Sequence, residues 1–374
     1  MKERFFSAPG RVEVGGNHTD HQHGCVLAAA INLEATCSAV PNDKNVVNIE
    51  NKQYGSLNID LSDLEIRECE KESSAAVVRG VAAWFTDRGF NIGGFDASIS
   101  SNIPAGSGLS SSAAFEVLIG NVFKGLYGID VSALDIAIAG QYAENVYFGK
   151  PSGLMDQAAS SFGGFNMIDF NDPANAIVKP INADLSGYTL CVVATGGSHA
   201  DLTCEYASIP EEMRLVANHF GKNYLREVPI DDFYSRLGQL KHISNRAVLR
   251  AIHFFEEHER VAKQASALEQ GDIPTFLELV NESGRSSLSY LQNVFTTSAP
   301  HEQGLTLALA LSEKLLAGKG AWRVHGGGFA GTILAFVPDE LKDSYNKQMN
   351  DVFGKNSCHF LNVRKNGGGE VECL

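Results

Sequence analysis

Residues 104–114 read Pro-Ala-Gly-Ser-Gly-Leu-Ser-Ser-Ser-Ala-Ala and run straight into Phe-Glu-Val-Leu-Ile. No regular element accommodates the first half of this stretch. Pro104 lacks a backbone donor, and Gly106 and Gly108 admit backbone angles that other residues avoid. Ser110, Ser111 and Ser112 offer hydroxyls where a helix could be capped. The apolar run from Ala113 then reads as the helix itself. A tight turn feeding a helix N-terminus exposes backbone N–H groups at the positive end of the helix dipole, which makes a cradle for phosphate. Gly/Ser turns also serve as plain connections, and both readings stand on this segment alone. The chain contains neither a Gly-x-x-x-x-Gly-Lys-Ser/Thr loop nor a Gly-x-Gly-x-x-Gly fingerprint opening a βαβ unit.

The length of 374 residues predicts two domains of ordinary size. We place their boundary near residue 185, giving 1–185 and 186–374. The formal charge of −14 leaves no basic surplus for nucleic acid, while a local anion site remains compatible with it. Seven scattered cysteines without Cys-x-x-Cys spacing fit reduced thiols. The absence of a long apolar run and of a signal-like N-terminus sets the expectations of no membrane partner and a cytoplasmic address.

Strands and helices alternate in the first half. Strands are expected over 26–31, 34–40, 94–100 and 190–194, and helices over 114–122 and 134–148. The second half is richer in helix. Val248, Ile252, Phe255, Ala262, Ala265 and Leu268 share one face of a long segment that Gly271-Asp-Ile-Pro274 ends. A further helix is expected over 305–316. After it, Gly326, Gly327 and Gly328 lead into an apolar strand.

Two other stretches carry unusual chemistry. Residues 8–24 gather Arg11, His18, Asp20, His21 and His23 among glycines. A solvated turn, a polyol-binding loop and a zinc site all use such residues. Residues 149–157, Gly-Lys-Pro-Ser-Gly-Leu-Met-Asp-Gln, set Asp156 just after a tight turn. There it is placed to cap a helix from Gln157 or to face a substrate hydroxyl.

Taken together in order and spacing, Gly-Arg-x(6)-His-Thr-Asp, Pro-x-Gly-x-Gly-Leu-Ser-Ser-Ser-Ala, Gly-x-Pro-Ser-Gly-x-x-Asp-Gln and Gly-Gly-Gly-Phe-x-Gly resemble the GHMP small-molecule kinases, and the first block resembles the galactokinase signature. The resemblance runs from Ala8 to about Val337. It implies an α+β two-domain fold, with a left-handed βαβ crossover in the N-terminal domain, a ferredoxin-like C-terminal domain and the active site between them. It implies ATP and Mg2+, with a small sugar as the second substrate and a monomer or weak dimer as the working form. The phosphate loop would be Gly106, Ser107, Gly108, Leu109, Ser110, Ser111, Ser112 and Ala113. Ser112 and Glu144 would hold the metal, whose preference for oxygen ligands they meet. Asp156 matches the catalytic aspartate and Arg11 its partner, which would keep that carboxylate ionised. His18, Asp20, Gly153 and Tyr206 match sugar-site positions, and Gly326–Gly328 the third motif.

The implied activity is transfer of a phosphoryl group to the anomeric hydroxyl of galactose. The signature usually reads Gly-Arg-x-Asn-Leu-Ile-Gly-Glu-His-Thr-Asp-Tyr-Asn, whereas here it is Gly-Arg-Val-Glu-Val-Gly-Gly-Asn-His-Thr-Asp-His-Gln. Asn17 stands where the family glutamate meets the sugar, and His21 where it has tyrosine. Both are expected to face substrate. Loss of the carboxylate at 17 makes a C6 or C5 variant, such as galacturonate or arabinose, an alternative substrate. Ser152, His325, Ala330 and Pro300–Gln303 are further departures. A non-catalytic galactose and ATP sensor is the alternative from another class, and the intact Ser112-Ala113 pair speaks for the kinase.

Overall fold

The computed structural model describes residues 2–51, 55–104, 106–150, 152–196 and 202–372, with Thr203 described in its backbone alone. Ala105, Pro151, Gly197 and Cys373, named above, lie outside them. Two sheets organise the chain. The larger contains β1 (Arg4–Gly15), β2 (Cys25–Pro41), β3 (Val46–Asn51), β4 (Gly55–Asp60), β5 (Phe95–Ser101), β6 (Phe165–Asp169), β7 (Ile177–Ile181) and, from the far end of the chain, β12 (Gly369–Val371). Its main path runs β12-β1-β2-β5-β3-β4, with β6 and β7 continuing from β2. The pair β3/β5 is parallel, and the hairpin strand β4 and helix α1 (Ser74–Asp87) lie between its members in sequence. The smaller sheet contains β8 (Tyr188–Ala194), β9 (Ala321–His325), β10 (Thr332–Pro338) and β11 (Cys358–Leu361), in the antiparallel order β11-β8-β10-β9. With helices Gly304–Leu316 and Lys342–Phe353 before β9 and before β11, this is a ferredoxin-like βαββαβ unit whose first connection carries the other helices.

The strands expected over 26–31 and 34–40 are one 17-residue strand. Its pairing with β1 jumps from Pro9↔Glu34 to Arg11↔Ala30, so Ile31–Leu33 bulge against Gly10. The alternation of side chains slips there, between the two expected segments. The bulge also lets β2 pair with β5 through its second half and β6 through its first. The helix expected over 134–148 is α-helical as Ala133–Tyr142 and then widens into a π-turn, Ala143–Phe148. In the 26-residue helix Asn245–Gln270, Ala262 is exposed and Val261 takes the buried place.

One apolar core runs under both sheets. Val12, Leu27 and Phe123 belong to it, and so do Phe276, Leu334 and Phe336 from the second half. That shared core holds the two halves against each other. At about 25 cal/mol per Å2, burial on this scale offsets the chain entropy of a domain pair. The six cysteines among the described residues are free thiols. Among the described residues no helix is long and apolar enough to cross a membrane.

Candidate functional site

Arg11 lies in β1 next to the bulge, and its three side-chain nitrogens all have partners. Nε donates to Asp156 Oδ1 at 2.7 Å, Nη2 to Asp156 Oδ2 at 2.8 Å, and Nη1 to the Gly108 carbonyl at 2.6 Å. The Arg11 backbone N–H donates to the Leu109 carbonyl at 3.1 Å. One residue thus fixes both the glycine–serine turn and the aspartate of the third stretch. Asp156 stands in the first turn of α4 (Met155–Phe162), and Leu154 takes the N-cap position. The expected helix cap at Asp156 is not made, because its carboxylate is held by Arg11 and by the Ser110 hydroxyl. Burial would raise the Asp156 pKa, but the Arg11 charge and hydrogen bonds, with Ser110 and Lys150, outweigh it and hold the carboxyl below its usual range. The side chain keeps 32% of its surface open.

The turn enters α2 (Ser111–Tyr127) through Ser110, whose φ of 58° is left-handed and whose hydroxyl does not cap the helix. The first amides of α2 therefore lack the side-chain cap the serines were expected to make, and stay open to an anion. Gly106, Gly108, Ser111 and Ser112 are exposed along this turn. The side chains of Ser107, Leu109 and Ala113 face the protein, and the Ser107 hydroxyl closes the turn onto the Pro104 carbonyl at 2.6 Å.

Two buried carboxylates meet behind Ser112. Gln157 Nε2 donates to Glu116 Oε2 at 2.8 Å and to Glu144 Oε2 at 2.9 Å. Glu144 also accepts from Lys150 Nζ at 2.9 Å and from the Ser152 hydroxyl at 2.6 Å. Burial and then the Glu144 charge push the Glu116 carboxyl well above its ordinary range, and Glu116 Oε1 is buried with no hydrogen-bond partner. The π-turn sets Glu144 in this position, and such turns frequently sit at functional sites. Ser111, Ser112, Glu116 and Glu144 line one end of a 310 Å3 cavity. Its remaining wall is largely apolar, with Ile49, Leu57, Val77, Ile99 and Phe115. Sequence reasoning missed this wall because its residues come from five separate elements. It also missed Lys150, Glu116 and Gln157, whose roles depend on convergence alone.

The loop at 16–23 approaches the turn that precedes α4. Asp20 lies so close to Gly153 that a Cβ on Gly153 would collide with Asp20 Oδ2. His18 donates from Nε2 to the Gly327 carbonyl at 3.0 Å, and burial pushes its pKa down to about 3. The neutral ring leaves Nδ1 as an unpartnered acceptor. His21 is partly exposed, and its ring lies 5.4 Å from that of His18. Tyr206 packs edge-on against Phe329 and donates to the Gly328 carbonyl at 2.8 Å. Gly326–Gly328 thus closes over the loop. Asn17 differs from the others: it is fully buried, and its side chain is engaged by protein on every side. Its substrate-facing placement is not what the fold brings about, because Glu13, Gly326 and Asn293 take up its amide. Burial pushes the neighbouring Glu13 carboxyl up to about 6, against the pull of Arg323 and Arg11. His23 stacks on Tyr224 with ring centroids 3.6 Å apart, away from His18 and His21. Among the described residues no three His, Cys, Asp or Glu side chains converge as a metal set.

Oxygen donors, an uncapped helix N-terminus and an arginine-held aspartate are groups of the kind phosphoryl transfer uses. The GHMP kinases N terminal domain family matches residues 75–164, and the galactokinase galactose-binding signature matches residues 1–41. The chain thus carries a GHMP kinase N-terminal domain and a galactokinase galactose-binding signature. Among solved structures it is similar to the Lactococcus lactis galactokinase complexed with galactose, at 26% identity and a TM-score of 0.84, covering 99% of this chain and 95% of that one. The fold is shared with the Methanococcus jannaschii mevalonate kinase, at 15% identity and a TM-score of 0.70 over 97% of this chain and 99% of that one. It is shared too with a D-glycero-D-manno-heptose 1-phosphate kinase from Bacteriodes thetaiotaomicron, at 18% identity and a TM-score of 0.65 over all of both chains. Within its family the protein is a galactokinase-like sugar kinase.

Proposed function

We propose that the protein transfers the γ-phosphoryl group of ATP to the anomeric hydroxyl of galactose. The observation that carries this reading is the bidentate Arg11–Asp156 pair, joined through Gly108 and Ser110 to the turn before α2 and left one-third open. The adenine and ribose fit the apolar cavity, and the phosphates fit the uncapped amides of α2. Asp156 orients the C1 hydroxyl and accepts its proton as the hydroxyl oxygen bonds to the γ-phosphorus and ADP leaves. Arg11 keeps Asp156 ionised and balances charge on the transferring group. Ser112 and Glu144, with the unpartnered Glu116 oxygen behind them, suit Mg2+, which would supply charge neutralisation at the phosphates. His18, Asp20, His21, Gly153 and Tyr206 form the sugar side. The carboxylate lost at position 17 has a counterpart in Glu13, 2.8 Å from the Asn17 amide. Both side chains are buried, so no direct contact from this pair decides between galactose and galacturonate. We take the two domains to meet near residue 185, between the last strand of the large sheet before it and β8, with β12 returning across the boundary.

The test is Asp156→Ala beside the wild type, with Mg-ATP and a panel of aldoses. Turnover, read as ADP release, should fall by roughly a thousandfold or more, while calorimetry still detects galactose binding. Phosphate located at C1 by NMR supports the reading. A wild type that turns over no aldose overturns it.

A further inference from the structure

A buried hydrogen-bond interlock lies directly under the sugar loop. Glu13, on β1, is 4% exposed, and Asn17, Arg323 and Asn293 are fully buried. Glu13 Oε1 accepts from Asn17 Nδ2 at 2.8 Å and from Arg323 Nη2 at 2.9 Å. Asn17 Nδ2 donates again to the Gly326 carbonyl at 2.7 Å, and Asn17 Oδ1 accepts from Asn293 Nδ2 at 2.8 Å. Asn293 Nδ2 also reaches the Gly327 carbonyl at 3.0 Å, which is the carbonyl that His18 holds. Arg323 is on β9 of the small sheet. The interlock therefore joins the two sheets and clamps the residue before His18 onto the glycine turn.

Its chemistry is selective. Arg323 is a permanently charged guanidinium removed from water, and it needs one carboxylate beside it. With a carboxylate at position 13, the group at 17 must donate towards it while accepting from Asn293, which an amide does and an ionised carboxylate does not. A second carboxylate at 17 would face Glu13 at hydrogen-bond distance with no proton between them. An amide at 13 would leave Arg323 without its hydrogen-bonded carboxylate. Each residue thus requires the other's identity, and the order Glu then Asn reverses the Asn then Glu of the signature quoted above.

We propose that Glu13 is a positioning residue of the sugar site, acting through Asn17, and that the two form an exchanged pair supplying one carboxylate and one carboxamide to the Arg323 interlock. The clamp sets where His18 and Asp20 stand against Gly153. Its disturbance is therefore felt by the sugar and not by the nucleotide in the cavity beyond α2. This rests on the sugar-kinase reading of the site.

The experiment is a double-mutant cycle of Glu13→Asn, Asn17→Glu and both together. It is read as KM for galactose, KM for ATP, melting temperature and ADP binding by calorimetry. Each single variant should raise KM for galactose by roughly tenfold or more, with KM for ATP and ADP affinity within about twofold. The double variant keeps one carboxylate and the 13–17 hydrogen bond with its direction reversed, and gives up only the donor to the Gly326 carbonyl. It should recover KM for galactose to within about fivefold of wild type and melt above both singles. If the singles do not fold, recovery of folded double variant supports the pair, and failure of all three overturns it. Single-variant effects that multiply in the double variant overturn it as well, and so does a KM for galactose unmoved by Asn17→Glu. A wild type without galactose turnover sinks the kinase reading instead, while the melting-temperature cycle still decides whether the pair is exchanged.

Discussion

Replacing Arg11 by lysine keeps the positive charge and removes the fork. In the native protein three nitrogens reach three acceptors at 2.6 to 2.8 Å: two carboxylate oxygens of Asp156 and the Gly108 carbonyl. A lysine ammonium is one point charge, and from this position it reaches one of those acceptors well. Two hydrogen bonds are then lost, at about 1–1.5 kcal/mol net each. The sum is about 2–3 kcal/mol of lost transition-state positioning, or a fall in kcat/KM of roughly 30- to 160-fold. Because Asp156 is 32% exposed, water substitutes for part of each lost contact and the lower end is the better expectation. The pH dependence separates charge from geometry. Asp156 is depressed in the folded state, so the pair's contribution is present at neutral pH and is lost as pH falls through the folded pKa. Arg11→Lys should leave the acid limb of the rate profile nearly in place. Arg11→Met leaves burial opposed only by Ser110 and Lys150 and should move that limb upward. The assay is direct ADP release from about pH 3.5 to 9, with galactose varied at saturating Mg-ATP. An Arg11→Lys enzyme within threefold of wild type, or an Arg11→Met enzyme with an unmoved acid limb, refutes the reasoning.

Three further outcomes follow from single contacts. Gly153→Ala places a Cβ against Asp20 Oδ2; KM for galactose should rise roughly tenfold with KM for ATP unchanged, and an unaffected galactose KM counts against Asp20 as a sugar contact. Ser112→Ala removes a hydroxyl from the cavity wall that also carries Glu116 and Glu144; if Ser112 holds Mg2+ as proposed, the Mg2+ concentration needed for half-maximal rate should rise several-fold, and an unchanged Mg2+ titration removes Ser112 from the proposed metal site. Glu116→Gln relieves a buried like-charge pair with Glu144. Glu116 is raised in the folded state, so its ionisation lowers stability as pH rises above its unfolded value. The variant should melt higher than wild type at pH 8 by about 2–4 °C, with a smaller gap at pH 5. Equal gaps at both pH values would remove the charge explanation.

Much of the site was legible because its parts are local. Pro104, Gly106 and Gly108 dictate a turn, and the apolar run after Ala113 dictates the helix that follows. The ionised state of Asp156 was readable once Arg11 was taken as its partner. Other features depend on which segments meet. Ser110 looked like a helix cap, yet its hydroxyl serves Asp156, some 46 residues away. Asn17 looked like a sugar contact, and the fold buries it among Glu13, Asn293 and Gly326. The two strands read from 26–40 are one because a bulge is set by pairing with β1 and not by propensity.

The sequence by itself determined the turn, the helix starts, the long amphipathic helix and the chemical types present, since each follows from backbone freedom and side-chain period within a few residues. Only the tertiary structure decided which donor meets which acceptor. A hydrogen bond needs its partners within about 3 Å, and Glu13 with Arg323, or Gln157 with Glu116 and Glu144, reach that distance only when β1, β9, α2, α4 and the π-turn pack on one core.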